Sequence, residues 1–334
     1  MSGIYQLRRA CKEGQLDVVR AHLRAGVNPN VFFFRDAAAG SSSSPLHDAA
    51  CRGHEAVCRL LLEHGADPNI AADTCAPPLH YACKDEDVRG ACAMATLLLD
   101  FGADIEATHH GRTPLIRACW ETTIHTSNVE LVTLLLDRGA NILKGDPHTP
   151  LWHAAYTGKV QVVNLLLQHG APADVGFDPS HPRRISGALD SWNPQHQNYL
   201  LFPWNEVPRS WRMDTAFVTP LYHRLLRRNS TRTLPIARLL LAHGASFDQE
   251  HRIFDHTRPR DFYRVDTPLS LVRSFRTARG GIMPELNELF DAYLQHYWRL
   301  RVKLRLFGSL SEHLLDLHVA PFLIGDGVLK KRSG

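Results

Sequence analysis

The stretch SPLHDAACRGHEAVCRLLLEHGADPN at residues 44–69 returns in altered form along the chain, and this recurrence limits the possible folds more than any other feature. Later copies open with PPLHYAC at Pro77, TPLIRAC at Thr113, TPLWHAA at Thr149, TPLYHRL at Thr219 and TPLSLVR at Thr267. A second half follows in most: LLLEHGAD from Leu60, LLLDFGAD from Leu97, LLLDRGAN from Leu134, LLLQHGAP from Leu165 and LLLAHGAS from Leu239. The shared proline sets the register. Pro45 to Pro78 is 33 residues, and the steps to Pro114 and Pro150 are 36 each, the excess falling in loops. Each copy reads as two short helices and a turn. Proline suits a first helical turn, where its missing N–H has no helical partner, and the preceding Ser or Thr is placed to cap. The small pair Ala49-Ala50 permits close helix packing. Leu and Val recur at helical spacing in the second half, and the Gly after them can take a positive φ to end the helix. One such unit cannot bury both faces of its helices. Neighbouring units must stack into a continuous core, which makes the chain a solenoid.

These motifs, T-P-L-H, G-H, L-L-L and G-A-D-x-N, closely resemble the ankyrin repeat, and the resemblance covers residues 4–173 well. A degenerate first copy lies in LRRACKEGQLDVVRAHLRAGVNPN, with Ala10-Cys11 in the small-pair position and Gly26 ending its second helix. It lacks Thr-Pro, as suits an atypical terminal repeat. The expected fold is all-α: an ankyrin-repeat solenoid of about seven helix-turn-helix units with hairpin fingers, an irregular insertion after the fifth repeat and a helical C-terminal cap. Four segments are expected: repeats one to five at 1–173, an irregular Trp- and Pro-rich insertion at 174–216, degenerate repeats six and seven at 217–298, and a basic helical cap and tail at 299–334.

The resemblance also implies where a partner would touch, because ankyrin proteins most often use the residues after the small pair and those at the finger tips. Here these are Arg52, Lys84 and Asp85, Trp120 and Glu121, and Tyr156 and Thr157, with His109, His110, Arg112, Asp146 and His148 on the fingers. Trp, Tyr and Arg dominate binding hot spots, so Trp120, Arg112 and Tyr156 are the first choice of anchor. Trp120 and Tyr156 could equally pack against the lengthened loops that follow, such as ETTIHTSN. The implied function is a non-enzymatic interaction module or scaffold that binds a protein partner through its concave face and fingers.

The insertion holds three of the six tryptophans, Trp192, Trp204 and Trp211, and is expected to fold back on the stack. A shorter one, VFFFRDAAAGSSSS at 31–44, reads as an elaborated first finger whose phenylalanines enter the core. Near the C-terminus, PELNELFDAYLQHYW places Leu286, Leu289, Phe290, Tyr293, Leu294 and Tyr297 on one helical stripe, the second helix of the last repeat. RLRVKLRLF at 299–307 alternates charge and apolarity and is read as a capping helix with solvated arginines. LLDLHVAPFLI at 314–324 would close the end of the stack. Ankyrin proteins with a helical C-terminal box often serve as substrate receptors of cullin ubiquitin ligases, so ubiquitin-ligase components are an alternative class of partner. MPELNELFDAYL at 283–294 has some likeness to the opening of an F-box, though a repeat helix already accounts for it; the suppressor-of-cytokine-signalling box is a poorer match, lacking its Cys and Leu-Pro pattern.

Other functions are disfavoured on chemical grounds. With 38 Lys and Arg against 34 Asp and Glu, the net charge of +4 is far from the excess that binding a phosphate backbone requires, so nucleic acid is not the expected partner. The chain contains no phosphate-binding loop, no G-x-G-x-x-G, no H-E-x-x-H and no nucleophile elbow, so no enzyme activity and no cofactor are expected. The resemblance makes His47, His80 and His54 structural, since the family uses these positions to hydrogen-bond between repeats. Cys11, Cys83 and Cys119 fall at small-residue core positions, and no Cys-x-x-Cys pair suggests a metal. The start of the chain has no apolar signal core, and nowhere do eighteen apolar residues run uninterrupted, so a cytoplasmic or nuclear protein without membrane attachment is expected.

Overall fold

A computed structural model describes residues 2–34, 42–71, 75–83, 88–120, 128–145, 148–175, 211–213, 219–226, 232–247, 251–255, 263–266, 268–269, 272 and 285–295. The chain divides into two compact units, Met1–Gly145 and Asp146–Gly334.

The first unit contains four helix pairs: α1 (Ser2–Glu13) with α2 (Leu16–Arg24), α3 (Pro45–Ala50) with α4 (Glu55–Glu63), α5 (Pro78–Ala82) with α6 (Val88–Asp100), and α7 (Pro114–Trp120) with α8 (Val129–Asp137). First helices pack in the series α1, α3, α5, α7 and second helices in the series α2, α4, α6, α8. The second unit repeats this with α9 (Pro150–Thr157) and α10 (Val160–Gln168), then α11 (Pro220–Leu226) and α12 (Thr233–Ala242), α9 lying on α11 and α10 on α12.

The reasons are those written in the repeat. Ser44 Oγ accepts from the His47 N–H, and Thr113 and Thr149 accept likewise from Ile116 and Trp152, so each capping side chain satisfies one of the donors a helix start leaves open. The middle leucine of every LLL triplet, Leu61, Leu98, Leu135, Leu166 and Leu240, is fully buried. Truncating any one of these would cost about 2–5 kcal/mol in lost burial and residual cavity. Gly14, between α1 and α2, has φ +71°, and a Cβ there would lie 2.8 Å from His54 Nδ1. Both the backbone and the approaching histidine therefore exclude a side chain. That histidine is an inter-repeat tie: His54 Nε2 donates to the Lys12 carbonyl at 3.0 Å.

A second tie runs along the turns that follow the second helices. Asn30 Nδ2 donates to the Gly65 carbonyl at 2.9 Å while its Oδ1 accepts from the Asp67 N–H at 2.8 Å. Asn69 repeats the pair with Gly102 and Asp104. In the next copy Glu106 takes the place of Asn and accepts from the Asn141 N–H, and in the second unit Asp174 accepts from Ser246. The final Asn of G-A-D-x-N thus clasps one repeat to its successor, and an acidic residue substitutes where only an acceptor is needed.

Strands appear in the expected first finger, in the segment read as an irregular insertion and in the segment read as degenerate helical repeats. β1 (Phe33–Phe34) pairs with β2 (Ser42–Ser43) as the elaborated finger, and Phe32 beside it is 38% exposed instead of entering the core. β3 (Trp211–Met213), β4 (His251–Asp255) and β5 (Tyr263–Asp266) form an antiparallel sheet in that order, so the end of the insertion pairs with the segment between the sixth and seventh copies. Short strands in a helix-dominated sequence carry too little period-two signal to stand out. Residues 268–269 and 272 are helical, as is α13, residues 285–295, which buries Leu286, Leu289, Phe290 and Tyr293 with the Tyr293 ring edge-on to Phe247. The basic segment at 299–307 and the apolar segment at 314–324 lie outside the described residues, as do Trp192 and Trp204.

Candidate functional site

The finger of the fourth repeat is closed by two backbone hydrogen bonds, His109 N–H to Arg112 O at 3.0 Å and Arg112 N–H to His109 O at 3.1 Å. Its central residues His110 and Gly111 have φ of 49° and 73°. Two positive φ values in succession make a type I′ turn, the form whose twist suits a tight hairpin. The turn exposes His110 and returns Arg112 toward the end of α7, where its guanidinium lies 4.9 Å from the centroid of the Trp120 ring. Trp120 is half-buried. A cation over an indole contributes about 0.5–1 kcal/mol at such a site and holds a planar donor group beside a large apolar surface, the pairing that binding hot spots favour.

His80 supports this finger from the third repeat. Its Nε2 donates to the Arg112 carbonyl at 2.9 Å, and its ring lies 6.2 Å from that of His109, which in turn lies 4.0 Å from His110. Burial pushes His80 down to about 4, with His109 and Arg117 adding repulsion, although the bond to Arg112 opposes the shift. Burial also lowers His109, aided by His110, Arg117 and Arg112. His80 is therefore neutral at physiological pH, and the arginines supply the positive charge of the finger.

In the second unit the expectations need correction. Trp152, in the T-P-L-H position, is 1% exposed and stacks with two rings: His148 at 3.9 Å and Tyr156 at 5.3 Å. Tyr156 is 8% exposed and His148 6% exposed, so both serve packing and offer little surface to a partner. The Thr157 hydroxyl donates to the His153 carbonyl at 3.0 Å and is half-buried. Arg224 also went unanticipated. It stands where earlier copies have Ala, is 2% exposed, and directs Nη1 at the Ala155 and Tyr156 carbonyls at 3.4 Å, where α9 ends and a cation is favoured.

Of the remaining predicted contacts, Arg52 is exposed after α3, whereas Lys84, Asp85, Glu121 and Asp146 lie outside the described residues. Among the described residues no group of three or more His, Cys, Asp or Glu could hold a metal, and no helix is long and apolar enough to cross a membrane. Cys11 and Cys58 are buried, which pushes both thiols upward, Cys11 to about 12, and leaves them protonated at neutral pH.

The ankyrin repeat family model matches residues 42–73 and 148–177, and the model for three consecutive ankyrin repeats matches 71–146. The crystal structure of the human ASB11 ankyrin repeat domain superposes with a TM-score of 0.51 at 26% identity, covering 73% of this chain and 86% of that one. The chain is an ankyrin-repeat protein. Ankyrin repeats are protein-interaction modules that bind protein partners. Human ankyrin repeat and SOCS box protein 16 is 32% identical over 97% of this chain and 66% of its own length. A mouse protein, tRNA endonuclease ANKZF1, is 40% identical over 74 residues, 22% of this chain and 10% of its own length. The chain thus spans from a tenth to about two thirds of these relatives.

Proposed function

We propose that this ankyrin-repeat chain is the substrate receptor of a cullin-type ubiquitin ligase, holding a protein partner on its first helices and fingers. The observation that carries the reading is an alignment over 97% of the chain with a human protein whose name joins ankyrin repeats to a SOCS box. The fold match to the ankyrin domain of human ASB11 supports it. The repeats would recognise the partner, and the segment at 299–334 would face the ligase. The full-length chain, tagged and recovered from its native cell, should bring down a cullin with its adaptor. Recovery of other proteins with no cullin would reduce the function to a scaffold and overturn the receptor reading.

Within this function, Arg112 and Trp120 act as the anchor. Their geometry favours the role, since a half-buried indole beneath a guanidinium joins apolar area to a directional donor. Trp120→Ala should weaken binding of the recovered partner by about 2 kcal/mol, roughly thirtyfold in Kd. Calorimetric titration with that partner provides the measure, and a near-unchanged unfolding midpoint should accompany the loss. Unaltered affinity would remove Trp120 from the interface.

A further inference from the structure

The structure also carries a docking feature on its least regular repeat, of whose lining residues the contact positions named above include only Arg52. Tyr5, Arg8, Arg9, Lys12 and Glu13 of α1, together with Arg52 after α3, line an open cleft of about 380 Å³. Tyr5, Arg8, Arg9 and Lys12 follow one another at helical spacing along one side of α1. Asp48 of α3 lies behind them. Arg8 Nε donates to Asp48 Oδ2 at 3.2 Å, and Lys12 Nζ lies 4.0 Å from Oδ1 of the same carboxylate. Glu13 is taken by Arg9 at 2.7 Å and by the Gln15 side chain at 2.7 Å. Among the described residues Arg52 has no carboxylate within ion-pair distance. Among the described residues these four cations stand beside two carboxylates, and each carboxylate is already engaged. Beside them Tyr5 is 61% exposed and Ile4 39% exposed, an apolar edge on a positive cleft.

We propose that this cleft docks an acidic peptide segment of a protein partner, its carboxylates pairing with Arg9, Lys12 and Arg52 and an apolar side chain resting on Tyr5. Arg8 is fixed by Asp48 and so positions the wall, while the exposed Arg52, and the Nη groups of Arg9 outside its Nε bond to Glu13, can form forked pairs with carboxylates. A nucleic acid fits less well, because Glu13 and Asp48 stand among the cations and, among the described residues, at most two positive charges remain over, too few to neutralise a run of phosphates. The inference rests on the reading of the chain as a protein-docking subunit, and it does not depend on assembly with a cullin.

Fluorescence anisotropy on the full chain tests it. The probe is a fluorescein-labelled peptide alternating Glu and Gly around a central Phe, and the control peptide replaces each Glu with Gln. The acidic peptide should bind with a Kd that rises with salt, and the Gln peptide should not bind. Arg9→Glu with Arg52→Glu should weaken binding about tenfold or more. The matched reversal Arg20→Glu with Arg59→Glu, on the second helices, alters total charge equally and should leave the Kd within about twofold. Circular dichroism confirms that the double variants remain folded; all four side chains are at least 38% exposed or lie in an exposed residue. Equal losses in the two variants, absence of binding, or equal affinity for a single-stranded RNA of the same charge would each overturn the proposal. Peptide binding without cullin recovery would defeat only the ligase reading, and cullin recovery without peptide binding only this one.

Discussion

Trp152→Ala should lower the unfolding free energy of the second unit by about 3–5 kcal/mol, the cost of removing a large aromatic from a packed core. The indole is 1% exposed and stacks with both His148 and Tyr156. Its removal deprives each of those rings of its stacking partner and leaves a cavity that the short helix α9 has little freedom to close. Urea unfolding followed by circular dichroism measures the loss. Trp152→Phe should recover a substantial part of it. A cost under about 1 kcal/mol for the Ala variant would mean that the three-ring stack is not a core element.

Acidification should destabilise the first unit through His80. Its pKa is about 4 in the folded chain, below the ordinary histidine value of 6.5, so over that interval the unfolded chain binds a proton that the folded chain excludes. Stability from this residue is complete above about pH 6.5 and is lost as pH falls to about 4, a change of about 3 kcal/mol. Burial sets the direction, while His109 and Arg117 make a second positive charge at the same place still less favourable. His47 and His109, both lowered, add to the loss in the same sense. The urea midpoint measured from about pH 7 to about pH 4 should therefore fall for the wild-type chain. His80→Gln, which keeps a donor for the Arg112 carbonyl, should show a clearly shallower fall. Parallel curves would show that His80 titrates normally in the folded state.

Periodic and local features were legible in the sequence. The register of Thr-Pro, the helical spacing of Leu and Val in the second helices and the capping hydroxyls are each decided within one repeat, so the letters alone convey them. His54 and His80 were legible only through the family resemblance, which marks their positions as ties between repeats, since their partners, the Lys12 and Arg112 carbonyls, lie one repeat away. Features decided by particular tertiary neighbours were not. The contact column assigns Tyr156 to the surface, but a Trp in place of His at position 152 provides a ring for it to stack on, and the column is silent about that exchange. Arg224 in a small-residue position could not be foreseen as buried, since its acceptors belong to a helix nearly seventy residues earlier. The basic cleft escaped attention because α1 lacks the Thr-Pro signature that places the other first helices in register. The sheet of β3, β4 and β5 joins stretches too short for alternation to be distinguished from irregular chain.

Binding of protein through the first helices and fingers is the central claim, and hydrogen exchange on the full chain, free and bound to the partner recovered with it, tests it most directly. Partner binding should slow exchange in peptides spanning residues 108–120, which hold the hairpin and the Arg112–Trp120 pair, and leave α4, α6 and α8 unchanged. Protection confined to those second helices, with residues 108–120 exchanging as in the free chain, would contradict it.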